Sequence, residues 1–444
     1  SDNLAGRVSV FHNKFDPILK NQFPLGLPDG LSGSTAGASD FWSDDQWAVR
    51  GQLLWDINDD AELLISAYAS EKTPSSGNFQ NLATTGILND AGGQVGAILA
   101  ADDPQGCVSI SSSSGSCVGG TRPVQGGDFF GYIDPDGSGR LTSADFATRD
   151  FNRYETQGAT AKLTWNLDEM TLTSVSHFLH ATKRQALDTD SGPAPATIVM
   201  NNSNSDTFTQ EFRLNGVGSS LKWVVGVYYL HIDTVYNQGL ADTVGGINIF
   251  GAPPGSLPFE GDFTADLMTN SYSAFGQIDY DLTDTLTLVL GGRAILEEKD
   301  YSYTSFFFEN TDDRTVDNQG TPLFPFLPAF EDDTSDVLWA AKAQLEYRPN
   351  DDTLIYGGVN RGVKAGSFNA PLLDALTDEQ FSYDEEVLIA YEGGFKLALE
   401  DGKLRINGSV YYYDYNDYQA FSFSGVTGAI FNEDALYTGA ELEI

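Results

Sequence analysis

The chain of 444 residues is 41% hydrophobic and carries 24 basic against 63 acidic side chains, a formal net charge of −39. Such a balance repels phosphate polyanions, so nucleic acid is excluded as a partner. The longest apolar runs, such as residues 223–230, are far shorter than the ~18–20 residues of a membrane-spanning helix, so this sequence could cross a membrane only as a closed β-barrel.

Alternating hydrophobicity indicates β-strands from the start of the chain to its end. Residues 46–56 are apolar at alternate positions from Trp47 to Trp55, and a turn at 58–60 leads into a second alternating run. Because successive side chains of a strand point to opposite faces, such a hairpin has one apolar and one polar face. The same design recurs at residues 159–180, 207–232, 270–298, 335–361 and 387–415, with further strands predicted at 7–11 and 437–444.

The connections between these strands alternate in length. Short turns follow Asp56, Trp165, Leu214, Tyr280, Arg348 and Leu399, whereas long connections cover residues 11–45, 71–157, 184–206, 233–269, 300–334, 362–384 and 416–435. Short turns on one side and long loops on the other are typical of an outer-membrane barrel, whereas a soluble β-sandwich has scattered loop lengths. The sequence therefore predicts an all-β protein, a transmembrane antiparallel β-barrel of about fourteen strands with long extracellular loops.

Particular side chains are assigned to the two surfaces of this barrel. Aromatic residues near strand ends are predicted to form girdles at the membrane interfaces: Trp42, Trp47, Trp55, Trp165, Trp223, Trp339 and Tyr411–Tyr413. Charged residues on the polar faces are predicted to line the lumen: Arg50, Lys342, Glu346, Arg361, Lys364, Glu392 and Lys396. The polar wall that a water-filled interior requires explains each of these charges equally well.

The longest connection, residues 71–157, contains the only two cysteines, Cys107 and Cys117, which bracket the polar segment VSISSSSGS. In an oxidising compartment this pair would form a disulfide, and in the cytosol two such thiols could form a redox pair. Because neither a helix nor a CxxC spacing supports redox chemistry, a structural disulfide is favoured.

The same connection contains DPDGSGRLTSAD, residues 134–145, which matches the spacing of a calcium-binding loop. Gly139 supplies the sharp turn of that motif, and position twelve is an aspartate rather than the longer glutamate. The predicted Ca²⁺ ligands are Asp134, Asp136, Ser138, the carbonyl of Arg140, Thr142 through water, and Asp145. The alternative is an acidic, glycine-rich turn without an ion; a bound Ca²⁺ would stiffen the loop rather than take part in catalysis.

Several stretches carry a family resemblance through their order along the chain. The segment LEYRPNDDTLIYGGVNRGVKAGSFN, residues 345–369, is similar to the Y-x-P-x-D-x-x-x-Y-x-x-x-x-x-G-x-K-x-G-x-F-N stretch of TonB-dependent receptors, the plugged barrels of Gram-negative outer membranes. Further stretches that resemble this family are TQEFRL and LKWVVGVYYL at 209–230, residues 271–301, residues 391–419, and GAELEI at 439–444. The resemblance covers residues 46–444.

The resemblance implies a fold and a role for the chain. Family members have an N-terminal plug and about 22 strands, so we expect residues 1–444 to be a partial receptor barrel without the plug, holding about fourteen of those strands and interrupted by the extracellular insertion at 71–157. The implied location is the Gram-negative outer membrane, in contact with lipid and lipopolysaccharide. TonB would act through the missing plug segment.

The resemblance also implies active uptake of a scarce small-molecule nutrient: a ferric siderophore, a cobalamin-like cofactor or an oligosaccharide. The alternatives are a passive porin-like channel and a surface binding or structural barrel with calcium-braced loops. No enzyme activity is expected, because the four histidines are scattered along the chain and no GxSxG, P-loop or HExxH motif occurs. His177 and His180 are predicted to point to opposite faces of one strand.

Overall fold

One antiparallel sheet dominates the fold. The computed structural model describes residues 3–27, 40–75, 83–128, 131–133, 140–145, 152–188, 192–194, 197–242, 259–309, 322–325, 327–371, 376–400, 402–424 and 427–444. Among the residues in these ranges, no helix is long and apolar enough to span a membrane.

The strands in chain order are β1 (Leu4–Phe15), β2 (Lys20–Asn21), β3 (Asp44–Asn58), β4 (Ala61–Lys72), β5 (Thr84–Leu88), β6 (Gln94–Leu99), β7 (Cys107–Ser111), β8 (Cys117–Thr121), β9 (Leu141–Thr142), β10 (Arg153–Leu167), β11 (Met170–Asp188), β12 (Thr197–Val217), β13 (Leu221–Asp242), β14 (Phe259–Thr283), β15 (Leu286–Glu309), β16 (Pro322–Pro325), β17 (Phe330–Asn350), β18 (Thr353–Lys364), β19 (Ser367–Phe368), β20 (Ser382–Tyr383), β21 (Glu386–Leu399), β22 (Leu404–Ser424) and β23 (Thr427–Glu443). A 3₁₀ turn, Ala100–Asp102, and a short helix α1, Asp378–Phe381, complete the described elements.

The large sheet has the strand order β1-β3-β4-β10-β11-β12-β13-β14-β15-β17-β18-β21-β22-β23, with β16 added alongside β15. These fourteen sequential antiparallel strands confirm the predicted all-β architecture and strand number. Neighbours in sequence are neighbours in space because short turns join them at one end of the sheet. Two of these turns use a non-glycine residue with positive φ, Asp168 at 52° and Glu400 at 52°.

The strands run further than hydrophobic alternation predicted. The expected long connection at 416–435 is wrong: β22 continues to Ser424 and β23 begins at Thr427, with a bulge between Tyr415 and Tyr418. Strands β11 to β17 likewise extend into the predicted loops. The extensions of β14 and β15 keep one apolar face, since Phe263, Tyr301 and Tyr303 are buried in one hydrophobic cluster, so the predicted loop boundaries there fall inside strands whose alternation continues.

Side chains alternate between the two faces of the sheet along each strand. Directly opposed residues of an antiparallel pair point to the same side, so the register shows which residues of different strands share a face. Alternate positions of β12, β13, β14, β15, β17, β18 and β21 surround one cavity of about 1010 Å³, so this side is the concave face. The other, convex face carries exposed large apolar side chains, among them Phe212, Val227, Tyr272, Val337 and Trp339. An apolar convex face and a polar interior are the arrangement of a membrane barrel wall.

Candidate functional site

The concave cavity holds three cationic side chains from three strands. Arg213 lies on β12, Arg293 on β15 and Lys342 on β17, and all three line the cavity. The register brings them together: Arg293 is opposite Phe275, which is opposite Gly226, which is opposite Arg213. Residues that are 129 positions apart in sequence (342 − 213) therefore surround one volume.

These cations have few carboxylate neighbours. Among the residues that line the cavity, Glu211 is the one acid, and its Oε1 lies 3.6 Å from Nη1 of Arg213. The guanidinium carbon of Arg293 lies 5.5 Å from the ring centre of Tyr228, a cation–π contact. Asn215, Gln277 and Asn360 add neutral hydrogen-bonding groups. The cavity is therefore a local excess of positive charge in a chain with a net charge of −39, and its chemistry suits an anion.

The concave face also carries most of the charges that the sequence assigned to the lumen. The register places Lys342 and Glu346 of β17 on the concave face. Lys364, Glu392 and Lys396 of the neighbouring strands point to the same face. Arg50 likewise points away from the apolar side chains of β3. Glu392 accepts a hydrogen bond of 2.7 Å at Oε1 from the hydroxyl of Tyr356, which lies on the same face.

The assignment of Arg361 to the lumen is wrong. Arg361 borders the cavity along β18, but it is opposite Ala341, on the same face as Trp339. Its guanidinium carbon lies 4.0 Å from the ring centre of Trp339, and Nη1 donates a hydrogen bond to the Trp339 carbonyl oxygen. The register of the hairpin and this cation–π contact place the charge on the convex face.

The strand register also divides the residues of the predicted aromatic girdle between the convex and concave faces. Trp47, Trp55, Trp165 and Trp339 are exposed on the convex face, and Trp223 shares that face by register. Trp42 lies outside the wall strands with a φ of 61°. Of the three consecutive tyrosines, Tyr412 is convex, whereas Tyr411 and Tyr413 are opposite the concave residues Glu392 and Ala390.

As predicted, the side chains of His177 and His180 point to opposite faces of β11. His177 Nδ1 lies 2.9 Å from Thr160 Oγ1, and His180 Nδ1 lies 2.8 Å from Asp206 Oδ1. His231 Nδ1 contacts Asn270 Oδ1 at 2.9 Å. Each of these contacts is a local pair rather than part of a shared site.

A segment of the connection between β18 and β21 packs against the concave wall beyond the cavity. Phe368 stacks on Tyr301 with ring centres 4.6 Å apart, and Phe381 contacts Tyr303 at 5.6 Å. The hydroxyl of Tyr301 donates to the carbonyl of Asn369 at 2.9 Å. These contacts form one buried aromatic cluster, so this connection is a fixed part of the wall's interior rim.

The connection between β4 and β10 contains a small sheet of order β6-β5-β7-β8. Cys107 and Cys117 form a disulfide that joins β7 to β8, with a Cα–Cα distance of 5.3 Å. Arg122 donates hydrogen bonds to the carbonyls of Cys107 at 3.2 Å, Gly127 at 3.1 Å and Thr84. The disulfide joins β7 to β8, and Arg122 connects the end of β8 to β7 and β5.

Half of the predicted calcium loop lies within the described residues. Asp134, Asp136 and Ser138 lie outside them. The carbonyl of Arg140 accepts a 3.0 Å hydrogen bond from the Lys20 amide, because β9 pairs in parallel with β2. Thr142 and Asp145 are both buried. In the part of the chain that the structure describes, no group of three or more His, Cys, Asp or Glu residues is arranged to hold a metal ion.

A wall of fourteen antiparallel strands, apolar on its convex face and polar around a concave cavity, defines the class of large outer-membrane β-barrels. The family model "TonB dependent receptor-like, beta-barrel" matches residues 110–444. The chain therefore belongs to the TonB-dependent receptor family.

Solved structures of this class share the fold at low sequence identity. The ferric yersiniabactin uptake receptor FyuA from Yersinia pestis is 16% identical with a TM-score of 0.64, over 99% of this chain and 53% of FyuA. The siderophore receptor PiuA from Acinetobacter baumannii is 15% identical with a TM-score of 0.60, over 100% and 57%. The copper transporter OprC is 13% identical with a TM-score of 0.57, over 99% and 54%. The chain thus spans a little over half the length of these proteins.

Proposed function

We propose that this barrel belongs to an outer-membrane transporter that imports an anionic metal chelate in a TonB-dependent manner. The observation that carries the proposal is the convergence of Arg213, Arg293 and Lys342 on one concave cavity. Carboxylate or phenolate oxygens of a chelate would form charge-assisted hydrogen bonds with these cations, the strong class of such bonds. The similar structures named for ferric yersiniabactin uptake and copper transport support a metal-containing cargo.

In this proposal the convex face contacts outer-membrane lipid and lipopolysaccharide, and the long connections, including residues 71–157, are extracellular. TonB acts through a plug segment of the full natural protein. The chain's role is that of a receptor and transport wall rather than an enzyme. The polar concave face supports this arrangement, since a passage for a charged solute requires polar walls.

The test is uptake of a radiolabelled ferric chelate by cells that express the full natural protein. We expect uptake to require TonB and to fall about tenfold in affinity in Arg293→Gln and in Lys342→Gln, because each removes a hydrogen bond to a charged ligand. Arg50→Gln is the control, since Arg50 is a concave cation that does not line the cavity. Uptake that is unchanged without TonB would instead indicate a passive porin-like channel, and binding without uptake a surface receptor.

A second proposal concerns the loop at residues 134–145. We infer that it binds Ca²⁺ through Asp134, Asp136, Ser138, Arg140, Thr142 and Asp145, because the spacing places hard oxygen ligands around one point. The pairing of β9 with β2 supports this, since it anchors the second half of the loop. Calorimetric titration should show calcium binding that Asp134→Ala and Asp136→Ala abolish and the exposed control Asp102→Ala retains. An absence of heat in the unmodified protein would contradict the proposal.

A further inference from the structure

The connection between β18 and β21 is built into the concave side at one end of the sheet. We name its described parts, residues 365–371 and 376–384, the strap. Within it β19 pairs with β20, so Ser367 is opposite Tyr383, and the helix α1 lies between these two short strands in sequence. The Thr377 amide donates a 3.1 Å hydrogen bond to Gln380 Oε1 at the start of α1. The strap therefore has an ordered structure of its own.

Aromatic rings attach one side of the strap to the wall. Phe381 stacks on Phe330 of β17 with ring centres 4.4 Å apart, and Phe368 lies almost parallel to Tyr301 of β15, with 4° between the ring planes. Both phenylalanines of the strap are buried. Tyr301 and Phe330 share the concave face with the basic cavity, since each lies an even number of positions from a cavity-lining cation on its own strand.

Hydrogen bonds attach the other side of the strap to β22 and β23. Gln419 of β22 donates through Nε2 to the carbonyls of Ala365 at 2.9 Å and Asp384 at 3.0 Å. Asn432 of β23 donates through Nδ2 to the Asp384 carbonyl at 3.1 Å, and its Oδ1 accepts from the Asp384 amide at 2.8 Å. Asn369 adds two hydrogen bonds with the backbone of β23. Because Gln419 and Asn369 are buried, the loss of these bonds would leave polar groups without water.

The two attachments are five strand spacings apart. The sheet order from one to the other is β15-β17-β18-β21-β22-β23. Neighbouring strands lie about 4.8 Å apart, so the path along the sheet between the attachments is roughly 24 Å. On a curved wall, a segment that is attached at both places runs across the concave side. Its buried side chains therefore occupy part of the opening at that end of the sheet.

The strap and the basic cavity lie at different heights on the wall. Tyr301 is eight positions beyond Arg293 on β15 (301 − 293), which is roughly 26 Å along the strand. The long connections are at the strap's end of the sheet, and the proposed function makes that end extracellular. A solute that enters from outside therefore meets the strap before it reaches Arg293 or Lys342.

We propose that the strap sets the size limit for solutes at the extracellular mouth and stays in place when smaller solutes pass. Segments that open readily have few buried apolar contacts. The strap instead is held by buried rings on one side and by hydrogen bonds of buried side chains on the other. This inference rests on the proposed function only for which end of the barrel faces outside.

The test measures access to a cysteine in the cavity, Ala340→Cys, in cells that express the full natural protein. Ala340 lines the cavity, and the two cysteines of this chain are joined in a disulfide. Two reagents are added outside: a small sulfonated maleimide and a maleimide attached to a rigid cyclodextrin ring. We expect only the small one to label rapidly. Asn369→Ala combined with Phe381→Ala loosens both attachments and should speed the bulky reagent about tenfold or more, because its labelling rate follows the population of the open strap.

The control combines Asn350→Ala, in an exposed turn, with Phe178→Ala, an exposed ring, and should leave both labelling rates unchanged. A bulky reagent that labels as fast as the small one, or no faster in the loosened variant, would overturn the proposal. So would failure of the small reagent to label, since another part of the protein would then limit access.

Heat-modifiable migration in gels checks that each variant has folded. If the loosened variant does not fold, Asn369→Ala alone decides, with a smaller increase that is confined to the bulky reagent. An equal increase for both reagents in that variant would contradict the size limit. Labelling needs neither cargo nor TonB, so failure of the proposed uptake and failure of the strap as a size limit are separate results.

Discussion

Two cavities on opposite faces of the same sheet have opposite charge. The concave cavity of about 1010 Å³ is lined by Arg213, Arg293 and Lys342. A smaller cavity of about 560 Å³, here named the acidic pocket, lies toward the C-terminal ends of β13 and β15 and the N-terminal ends of β14 and β17. It has no basic residue in its lining. Its acids are Asp233, Asp266, Asp300, Glu331, Asp332 and Asp333.

The contrast shows that the net charge of −39 describes neither surface by itself. On β15 the side chains of Asp300 and Tyr301 point to opposite sides, so one step along a strand changes the environment completely. An anionic cargo that the overall charge disfavours is compatible with the concave cavity, because the acids are concentrated elsewhere and exposed charges beyond about 8–10 Å are screened in physiological salt.

The largest expected effect comes from reversing the concave charges. Arg293→Glu combined with Lys342→Glu should weaken binding of an anionic ferric chelate about a hundredfold or more, since two attractive contacts become repulsive. Equilibrium binding with a radiolabelled chelate measures it. Asp300→Lys combined with Asp333→Lys, in the acidic pocket, is the matched control and should leave affinity within about twofold. Equal losses in both pairs would mean that long-range charge, not the cavity, governs binding.

A smaller effect is expected where the concave rim is fixed. Asn369 is 4% exposed and donates through Nδ2 to the carbonyls of Gln380 and Ile430, both at 2.9 Å, while its Oδ1 accepts from the Ile430 amide at 2.8 Å. Asn369→Ala should lower the free energy of opening this segment by about 2 kcal/mol, because the three hydrogen bonds of this buried side chain are lost. Faster amide exchange at Gln380 and Ile430 measures it.

The exposed turn variant Asn350→Ala serves as the control for the Asn369 variant, since it removes only a local side-chain contact to the Asp352 amide. Exchange rates at Gln380 that do not change in Asn369→Ala would show that the aromatic cluster alone holds the connection.

A variant on the convex face provides a weaker test of the functional difference between the two faces. Arg361→Gln removes the cation–π contact with Trp339 and should cost about 0.5–1 kcal/mol of stability. Chelate binding should not change, because the guanidinium lies on the convex face. Lys342→Gln is the comparison, with lowered affinity and little change in stability. A loss of affinity in Arg361→Gln that equals the loss in Lys342→Gln would place Arg361 back in the interior.

Arg361 also shows how much of the fold could be predicted from the sequence. Alternation, turn chemistry and loop lengths indicated the fourteen strands and the polar side of each hairpin. Arg361 lies an even number of positions from Ile355 and Val359, whose side chains are exposed on the convex face. Because side chains alternate along a strand, Arg361 cannot share a face with Lys364, three positions away, although the sequence analysis assigns both to the lumen. The face of Arg361 could therefore have been predicted from β18 alone.

The candidate site was harder to predict, because its residues converge through tertiary pairing alone. Alternation along residues 286–297 puts Arg293 on the polar face of its strand. Nothing in the sequence, however, brings it to Arg213 across β13 and β14. The sequence analysis assigns Tyr411–Tyr413 to a membrane girdle, because aromatic residues are enriched there. Strict alternation along β22 separates Tyr412 from Tyr411 and Tyr413, and that signal was available in the sequence.

The smallest expected effect tests an isolated cation–carboxylate pair outside both cavities. Lys20 Nζ lies 2.6 Å from Asp40 Oδ2, and this hydrogen bond holds the pKa of Asp40 below its ordinary value. A carboxyl whose pKa is depressed by folding stabilises the fold above its unfolded pKa, and the stabilisation is lost as pH falls through the folded value. The protection of the paired Leu19 and Phe41 amides, measured as the ratio of the intrinsic to the observed exchange rate at each pH, should therefore decrease below about pH 4. Asp40→Asn should exchange faster at neutral pH and lose that pH dependence; an unchanged profile would mean that burial of Phe41, not the ion pair, closes this contact. Because the pair is largely exposed, raising the salt concentration should reduce the difference between the two proteins, whereas it should not alter contacts within the buried aromatic cluster.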